Sequence, residues 1–161
     1  KANGSVVTWG KAADGGDSSV VQPLLVGVKH VYSNSKAFAA LTVAGRVVVW
    51  GRAAYGGEIP VDKVSALSSG VVSIYSTNRA FAALKSDGSV VVWGQAGHGG
   101  IAGAAVTAQL RSGVHTICSN DAAFSAIKSD GTVLTWGHSA AIGSEGEVLQ
   151  SETLSVPALC A

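Results

Sequence analysis

Histidine is the residue type in this sequence that could most readily bind a metal or transfer a proton. The four histidines are His30, His98, His115 and His138. Zinc sites commonly take two ligands from one short motif, such as His-x-x-x-His or Cys-x-x-Cys, and the sequence contains neither. We therefore expect no metal site.

Two aspartates, Asp87 and Asp130, could be mistaken for a catalytic pair. Each directly precedes a glycine between two β-branched runs, and Asp-Gly at such a place is typical of a tight β-hairpin turn. Nucleophile elbows, phosphate-binding loops and dinucleotide fingerprints do not occur in a suitable context. The sequence predicts no catalytic residues, no cofactor and no enzymatic activity.

A Trp-Gly pair recurs through the whole chain and identifies a tandem repeat. The tryptophans Trp9, Trp50, Trp93 and Trp136 are separated by 41, 43 and 43 residues. Each follows a glycine and a β-branched run, as in Gly-Ser-Val-Val-Val-Trp-Gly at residues 88–94. Phe38, Phe81 and Phe124 recur at the same interval of 43. One large aromatic residue per unit at a fixed position predicts that these tryptophans and phenylalanines form the core of the repeat.

The sequence pattern of each unit predicts three antiparallel strands. In one repeat, residues 70–76 alternate and are β-branched, residues 80–85 are rich in small residues, and residues 89–93 carry the Trp. The third-strand pattern occurs four times, beginning with residues 4–9.

A linking segment completes each unit and leaves two interpretations open. A capping residue or a proline followed by helix-forming residues indicates a short helix, and a fourth strand is the alternative. The predicted fold is therefore mainly β, with tandem three-stranded antiparallel repeats joined by a short helix or an extra strand. The units span about 4–44, 45–87 and 88–130, with an incomplete unit at 131–161, in one repeat domain of residues 1–161.

The string Ala-Phe-Ala-Ala-Leu, Lys-Ser-Asp-Gly, Ser-Val-Val-Val-Trp-Gly and a Gly-Gly loop resembles the regulator of chromosome condensation repeat family. The resemblance implies a β-propeller. Family propellers typically close with seven blades, so a chain with fewer than four units implies a partial, open propeller. The Gly-x-x-His that family units carry between their first two strands is absent here.

Open sheet edges require a partner or a shield. The chain also begins at Lys1 and contains no Met, which predicts a processed chain or a piece of a longer one. We expect a non-catalytic scaffold that contacts other protein subunits or further copies of the repeat, and an isolated chain that self-associates. The alternatives are a regulatory propeller domain, resembling the family's nucleotide-exchange factors or enzyme inhibitors, and a module of an extracellular repeat fibre.

Composition and charge indicate which classes of partner do not suit this chain. Charged residues make up only 13% of the chain, and the formal net charge is +1. The lysines and arginines form no basic stripe, which argues against nucleic acid. No uncharged apolar stretch is long enough to predict a membrane span.

Residues that differ between copies are free for recognition, because repetition preserves what the scaffold needs. They occur in the loop after each Trp-Gly pair and in the turn between the first two strands, where the varying residues are Lys36, Arg79 and Asp121. Tyr and Arg are enriched at binding hot spots. The predicted partner-binding residues are Lys11, Lys36, Arg52, Tyr55, Arg79 and His98.

The two cysteines, Cys118 and Cys160, occupy equivalent repeat positions where other units have Tyr. This predicts burial, and a disulfide between neighbouring units is an alternative.

Overall fold

The computed structural model describes residues 4–138 and 148–150, with side chains described in the first of these ranges. Within them lie three antiparallel β-sheets, one after another along the chain. The first sheet contains β1 (Val28–Ser33), β2 (Ala37–Thr42) and β3 (Val47–Gly51). The second contains β4 (Val71–Ser76), β5 (Ala80–Lys85) and β6 (Val90–Gly94). The third contains β7 (Val114–Ser119), β8 (Ala123–Lys128), β9 (Thr132–Gly137) and β10 (Val148–Gln150), in the order β10-β9-β8-β7.

The three sheets have the same register. Phe38 pairs with Trp50, Phe81 with Trp93 and Phe124 with Trp136. The predicted mainly β fold of three-stranded antiparallel units, forming a partial and open propeller, is confirmed for the described residues.

The sheets pack face to face through their second strands, because these carry small residues. Ala39 and Ala40 are fully buried although they point to opposite faces of β2. Ala39 belongs to the apolar cluster shared with the second sheet, whereas Ala40 packs with Leu25 on the N-terminal side. Burial of both faces explains why β2 alternates little in polarity.

Backbone hydrogen bonds join each sheet to the next. The amide of Val71 donates to the carbonyl of Gly45 at 3.0 Å, and Val114 donates to Gly88 at 3.0 Å. Val28 donates to Gly4 at 3.1 Å in the same way. The N-terminal segment is therefore docked where a preceding sheet would lie.

Residues 4–9 do not form the predicted third strand. Among the described residues, no strand lies beside them in the way that β2 lies beside β3. Without a paired neighbour, an extended segment makes no ladder of hydrogen bonds. The prediction of a β-strand at this first copy was wrong.

The linking segments differ between copies. A 3-10 helix forms at Gln22–Leu24 and another at Val61–Lys63, an α-helix, α1, forms at Ala104–Gln109, and the fourth copy contributes β10. α1 contains three alanines, whereas residues 61–67 contain β-branched and serine residues that favour helices less. The predicted helix of about two turns is thus reached only in the third copy, and the strand alternative holds in the fourth.

Candidate functional site

One end of the three sheets carries the turns between first and second strands together with the loops that follow the Trp-Gly pairs. Three repeat positions meet there: the second residue after each Trp, the fifth residue after it, and the last residue of each turn. We call the set at these positions the loop row. Its members among the described residues are Lys11, Asp14, Lys36, Arg52, Tyr55, Arg79, Gln95, His98, Ala122 and His138.

The post-Trp loops are held by a repeated aromatic contact. A 3-10 turn in each loop ends at a glycine with positive φ, as at Ala53–Tyr55 followed by Gly56 at φ 89°. The indole Nε1 of Trp93 donates to the carbonyl of Gly56 at 3.0 Å, while its ring stacks on Phe81 with centroids 5.3 Å apart. Trp50 and Trp136 make the equivalent bonds to Gly15 and Gly99 at 3.0 and 3.2 Å. Each sheet therefore fixes the loop of the preceding unit.

Turn residues are fixed to the loops by main-chain bonds. The amide of Arg52 donates to the carbonyl of Lys36 and that of Gln95 to Arg79, each at 2.9 Å. Asn34 Nδ2 donates to the Tyr55 carbonyl at 2.7 Å. The side chains of the loop row thus project from an ordered backbone.

Three cationic side chains surround the ring of Tyr55. Arg79 Cζ lies 5.2 Å from the ring centroid, Arg52 Cζ 5.8 Å and Lys36 Nζ 5.9 Å. These distances fall within the range of cation–π attraction. The ring also packs partly against the apolar core between the first two sheets, and this contact fixes its position.

Asp14 is the carboxylate of the loop row. Its Oδ1 lies 3.1 Å from Arg52 Nη2 and its Oδ2 lies 3.4 Å from Lys11 Nζ. Partial burial raises the pKa of Asp14, but Lys11, Lys36 and Arg52 outweigh it and hold the pKa below its usual value. Asp14 is therefore ionised at neutral pH and compensates part of the positive charge.

His98 and His138 lie together at the other end of the loop row. The Nδ1 atom of His98 is buried without a hydrogen-bond partner in the structure, and the His98 ring lies 6.3 Å from that of His138 in an edge-on arrangement. Burial, together with Arg79 and His138, lowers the pKa of His98. Arg79 Nη1 donates to Gln95 Oε1 at 3.2 Å.

All six residues predicted to bind a partner lie in this loop row, although the sequence did not predict how they pair. The structure brings the turn residue of one sheet next to the loop of the preceding unit, as Arg79 meets Tyr55. Asp121 was grouped with Lys36 and Arg79, but the register places Ala122 at that position. The carbonyl of Asp121 instead accepts the Asn78 amide at 2.9 Å.

The predicted core residues divide into two groups. Trp50, Trp93, Trp136, Phe81 and Phe124 are at most 4% exposed, and Phe38 is partly buried. Trp9 is 84% exposed, so its assignment to the core needs correction. Among the described residues, no phenylalanine stacks on Trp9 and no carbonyl accepts its indole hydrogen, as happens at Trp50, Trp93 and Trp136.

The other candidates for chemistry serve the scaffold. Asp87 Oδ1 accepts the amide of Ser89 at 2.9 Å, and Asp130 Oδ1 accepts that of Thr132 at 2.9 Å, as turn residues do. Hydrogen bonds from Ser89 lower the pKa of Asp87.

Between residues 4 and 138, no three His, Cys, Asp or Glu side chains lie close enough to hold a metal. The described helices are all too short to cross a membrane. Cys160 lies outside the described residues, so the suggested pairing with Cys118 stays a prediction.

At the level of sequence, the chain matches no protein-family profile and no curated protein. Among solved structures it is similar to human WBSCR16, with a TM-score of 0.56 and 18% identity over 78% of this chain and 40% of that one. It also matches Prp20p from Saccharomyces cerevisiae, a structure described with its binding to Gsp1p and histones, at a TM-score of 0.47 and 16% identity over 68% and 30% of the two chains. Yeast RCC1 (Prp20) bound to Kap60 gives a TM-score of 0.46 and 20% identity over 68% and 29%.

The chain therefore spans less than half the length of each of these proteins. The similarity to WBSCR16 confirms, at the level of fold, the propeller repeat of the regulator of chromosome condensation type that the Trp-Gly pattern predicted.

Proposed function

We propose that this chain is a non-catalytic repeat scaffold that binds a protein partner through the loop row and serves as a structural or accessory subunit of a larger assembly. The observation that carries the proposal is the convergence of Lys36, Arg52 and Arg79 on the Tyr55 ring. Tyr and Arg are the residue types that dominate binding energy in protein interfaces.

The repeat itself supports a recognition role for these positions. The bonds that hold the loops in place, such as Trp93 Nε1 to Gly56, use residues that every complete unit shares. At the fifth position after Trp, by contrast, the units carry Asp14, Tyr55 and His98. These three residues are half-buried, and a scaffold that keeps its frame while it varies partly exposed loop positions is typical of repeat proteins that bind partners.

A role within a larger assembly is supported by large apolar side chains that are exposed among residues 4–26. Val7, Trp9, Val20 and Val26 are 56%, 84%, 92% and 71% exposed there. Apolar residues exposed together commonly mark a surface that another protein covers.

Site-specific photo-crosslinking tests the proposal. Benzoylphenylalanine is placed at the exposed Ala96 of a loop in the row, or at the exposed Val43 at the opposite end of the sheets. Both proteins are irradiated in extract of the source organism, and crosslinked proteins are identified by mass spectrometry.

We expect a defined protein to crosslink from position 96 and not from 43, and to be lost when Arg79→Ala is added. The matched control is Arg46→Ala, an exposed arginine in the turn between β2 and β3 at the other end. Equal crosslinking from both positions, or loss with Arg46→Ala as well, would contradict binding at the loop row.

A further inference from the structure

We infer that the segment the loop row recognises is an extended, carboxylate-rich peptide of the partner protein; this rests on the proposed function and specifies its partner. The inference begins with charge. The row contains four lysine or arginine side chains, Lys11, Lys36, Arg52 and Arg79, and one carboxylate, Asp14.

This excess of positive charge is concentrated in space. Arg79, Arg52 and Lys36 all lie within 5.9 Å of one ring centroid, so any two of these cations are at most about 12 Å apart, which is comparable to the screening length of about 8 Å at physiological ionic strength. Like charges at such separations repel one another. A ligand carrying negative charge would relieve that repulsion on binding.

The positive charges of the loop row are not equally compensated by carboxylates. Both ion pairs found among the described residues involve Asp14, which contacts Lys11 and Arg52. Arg79 instead bonds the neutral amide of Gln95 and faces His98. Arg79 is therefore the side chain best placed to take a carboxylate from a partner, and its planar guanidinium fits a carboxylate in a two-point contact.

The ligand's shape follows from the repeat. Asp14, Tyr55 and His98 occupy one equivalent position in three successive units, so the row runs across the ends of consecutive sheets. A chain laid along this row would meet one loop and one turn per unit. An extended peptide suits that arrangement, with acidic side chains near Lys36, Arg52 and Arg79 and a packing contact on Tyr55.

Fluorescence anisotropy tests the inference with three labelled probes. They are a ten-residue peptide of alternating Asp and Glu, its Asn and Gln counterpart, and a ten-nucleotide oligothymidine. The proteins are the full chain and its Arg79→Ala, Arg79→Lys, Tyr55→Ala and Arg46→Ala variants, each checked for folding by circular dichroism.

We expect the acidic peptide to bind, with affinity falling as NaCl is raised. Arg79→Ala should weaken binding by about tenfold or more, as loss of a hot-spot residue does. Arg79→Lys should weaken it less because the charge remains, and Arg46→Ala should leave it unchanged. Equal binding of the amide peptide, equal loss with Arg46→Ala, tighter binding of the oligothymidine, or no binding of the acidic peptide would each overturn the inference.

Failure here is distinguishable from failure of the proposed function. If a protein crosslinks from position 96 in an Arg79-dependent way while the acidic peptide neither binds nor competes with it, the scaffold role stands and the acidic-segment inference falls. If the peptide competes with that crosslink, both stand.

Discussion

At the scale of single residues, the glycine that ends each post-Trp turn fits against the aromatic pair of the next sheet. A Cβ at Gly99 would lie 2.5 Å from Phe124 Cδ2, and its φ of +93° disfavours any side chain. Two residues earlier, Gly97 has open space around its Cα. One loop therefore offers both a constrained and an unconstrained glycine.

Gly99→Ala should lower the free energy of unfolding by about 2–4 kcal/mol, because backbone strain and steric overlap add. Gly97→Ala is the matched control and should be neutral or stabilising by up to about 1 kcal/mol. Urea denaturation followed by Trp fluorescence measures both. Equal stabilities of the two variants would mean that the aromatic pair does not constrain the loop.

His98 gives the loop row a pH dependence. Burial, Arg79 and His138 lower its pKa below the ordinary 6.5, so the unfolded chain takes up a proton at a higher pH than the folded chain. Stability from this group is therefore complete above pH 6.5 and falls as the pH drops toward the folded-state pKa.

His98→Gln should remove that part of the slope. The measurement is the free energy of unfolding in urea at several pH values between about 7.5 and 5, for wild type and variant, so that the remaining histidines contribute equally to both. If the free energy of unfolding changes with pH equally in wild type and variant, His98 does not contribute to the pH dependence.

Residue types and repeat register were enough to predict which side chains gather at the loop row. Their pairing was not, because it depends on how adjacent sheets stack. Arg79 meets Tyr55 across 24 positions of sequence only because the second sheet packs on the first. The displacement of Asp121 by one position had a sequence signal, since Lys36 and Arg79 differ by 43 residues and Ala122 continues the interval.

At the scale of elements, strands were predictable and linking segments were not. The nine strands from β1 to β9 follow β-branched or small-residue runs bounded by turn glycines. Linking segments lie outside the sheets, so weak local propensities decide their form. Gly103 and Pro60 occupy the same repeat position, and both have backbone angles that proline adopts, with φ of −59° and −56°.

Gly103→Pro should therefore stabilise the protein by about 0.5–1 kcal/mol by restricting the unfolded chain. The residue is the N-cap of α1, whose amide lies outside the helical hydrogen-bond pattern, and no atom would contact an added Cβ within 4 Å. Thermal and urea unfolding test this, with Gly103→Ala as the comparison. Lower stability of the proline variant than of the alanine variant would show that the two positions differ in conformation.

At the scale of the whole molecule, residues 4–9 carry a third-strand sequence that pairs with no hairpin among the described residues. Because residues 4–9 repeat the third-strand sequence, the sequence predicts a strand and a buried Trp9 here. Burial depends instead on neighbours in space. Trp93 is buried because Phe81 stacks on it and Gly56 accepts its indole hydrogen, and Trp9 has neither.

Supplying those neighbours should therefore bury Trp9. Inserting a copy of residues 52–87 between Asn3 and Gly4 adds one loop, one linking segment and one hairpin without adding a tryptophan. We expect the Trp emission to shift to shorter wavelength and acrylamide quenching to fall, because the inserted hairpin covers Trp9.

The control is the same insertion carrying Phe81→Ala in the copied segment, which provides strands without the stacking partner. Its emission should lie between those of the original and extended chains, and Trp9→Phe in the original chain identifies the contribution of the exposed indole. If the extended chain keeps the emission and quenching of the original, the repeat register that makes Gly4 equivalent to Gly45 and Gly88 does not govern packing at this end. If burial occurs equally with Phe81→Ala, strand pairing rather than the aromatic stack holds the tryptophan in place.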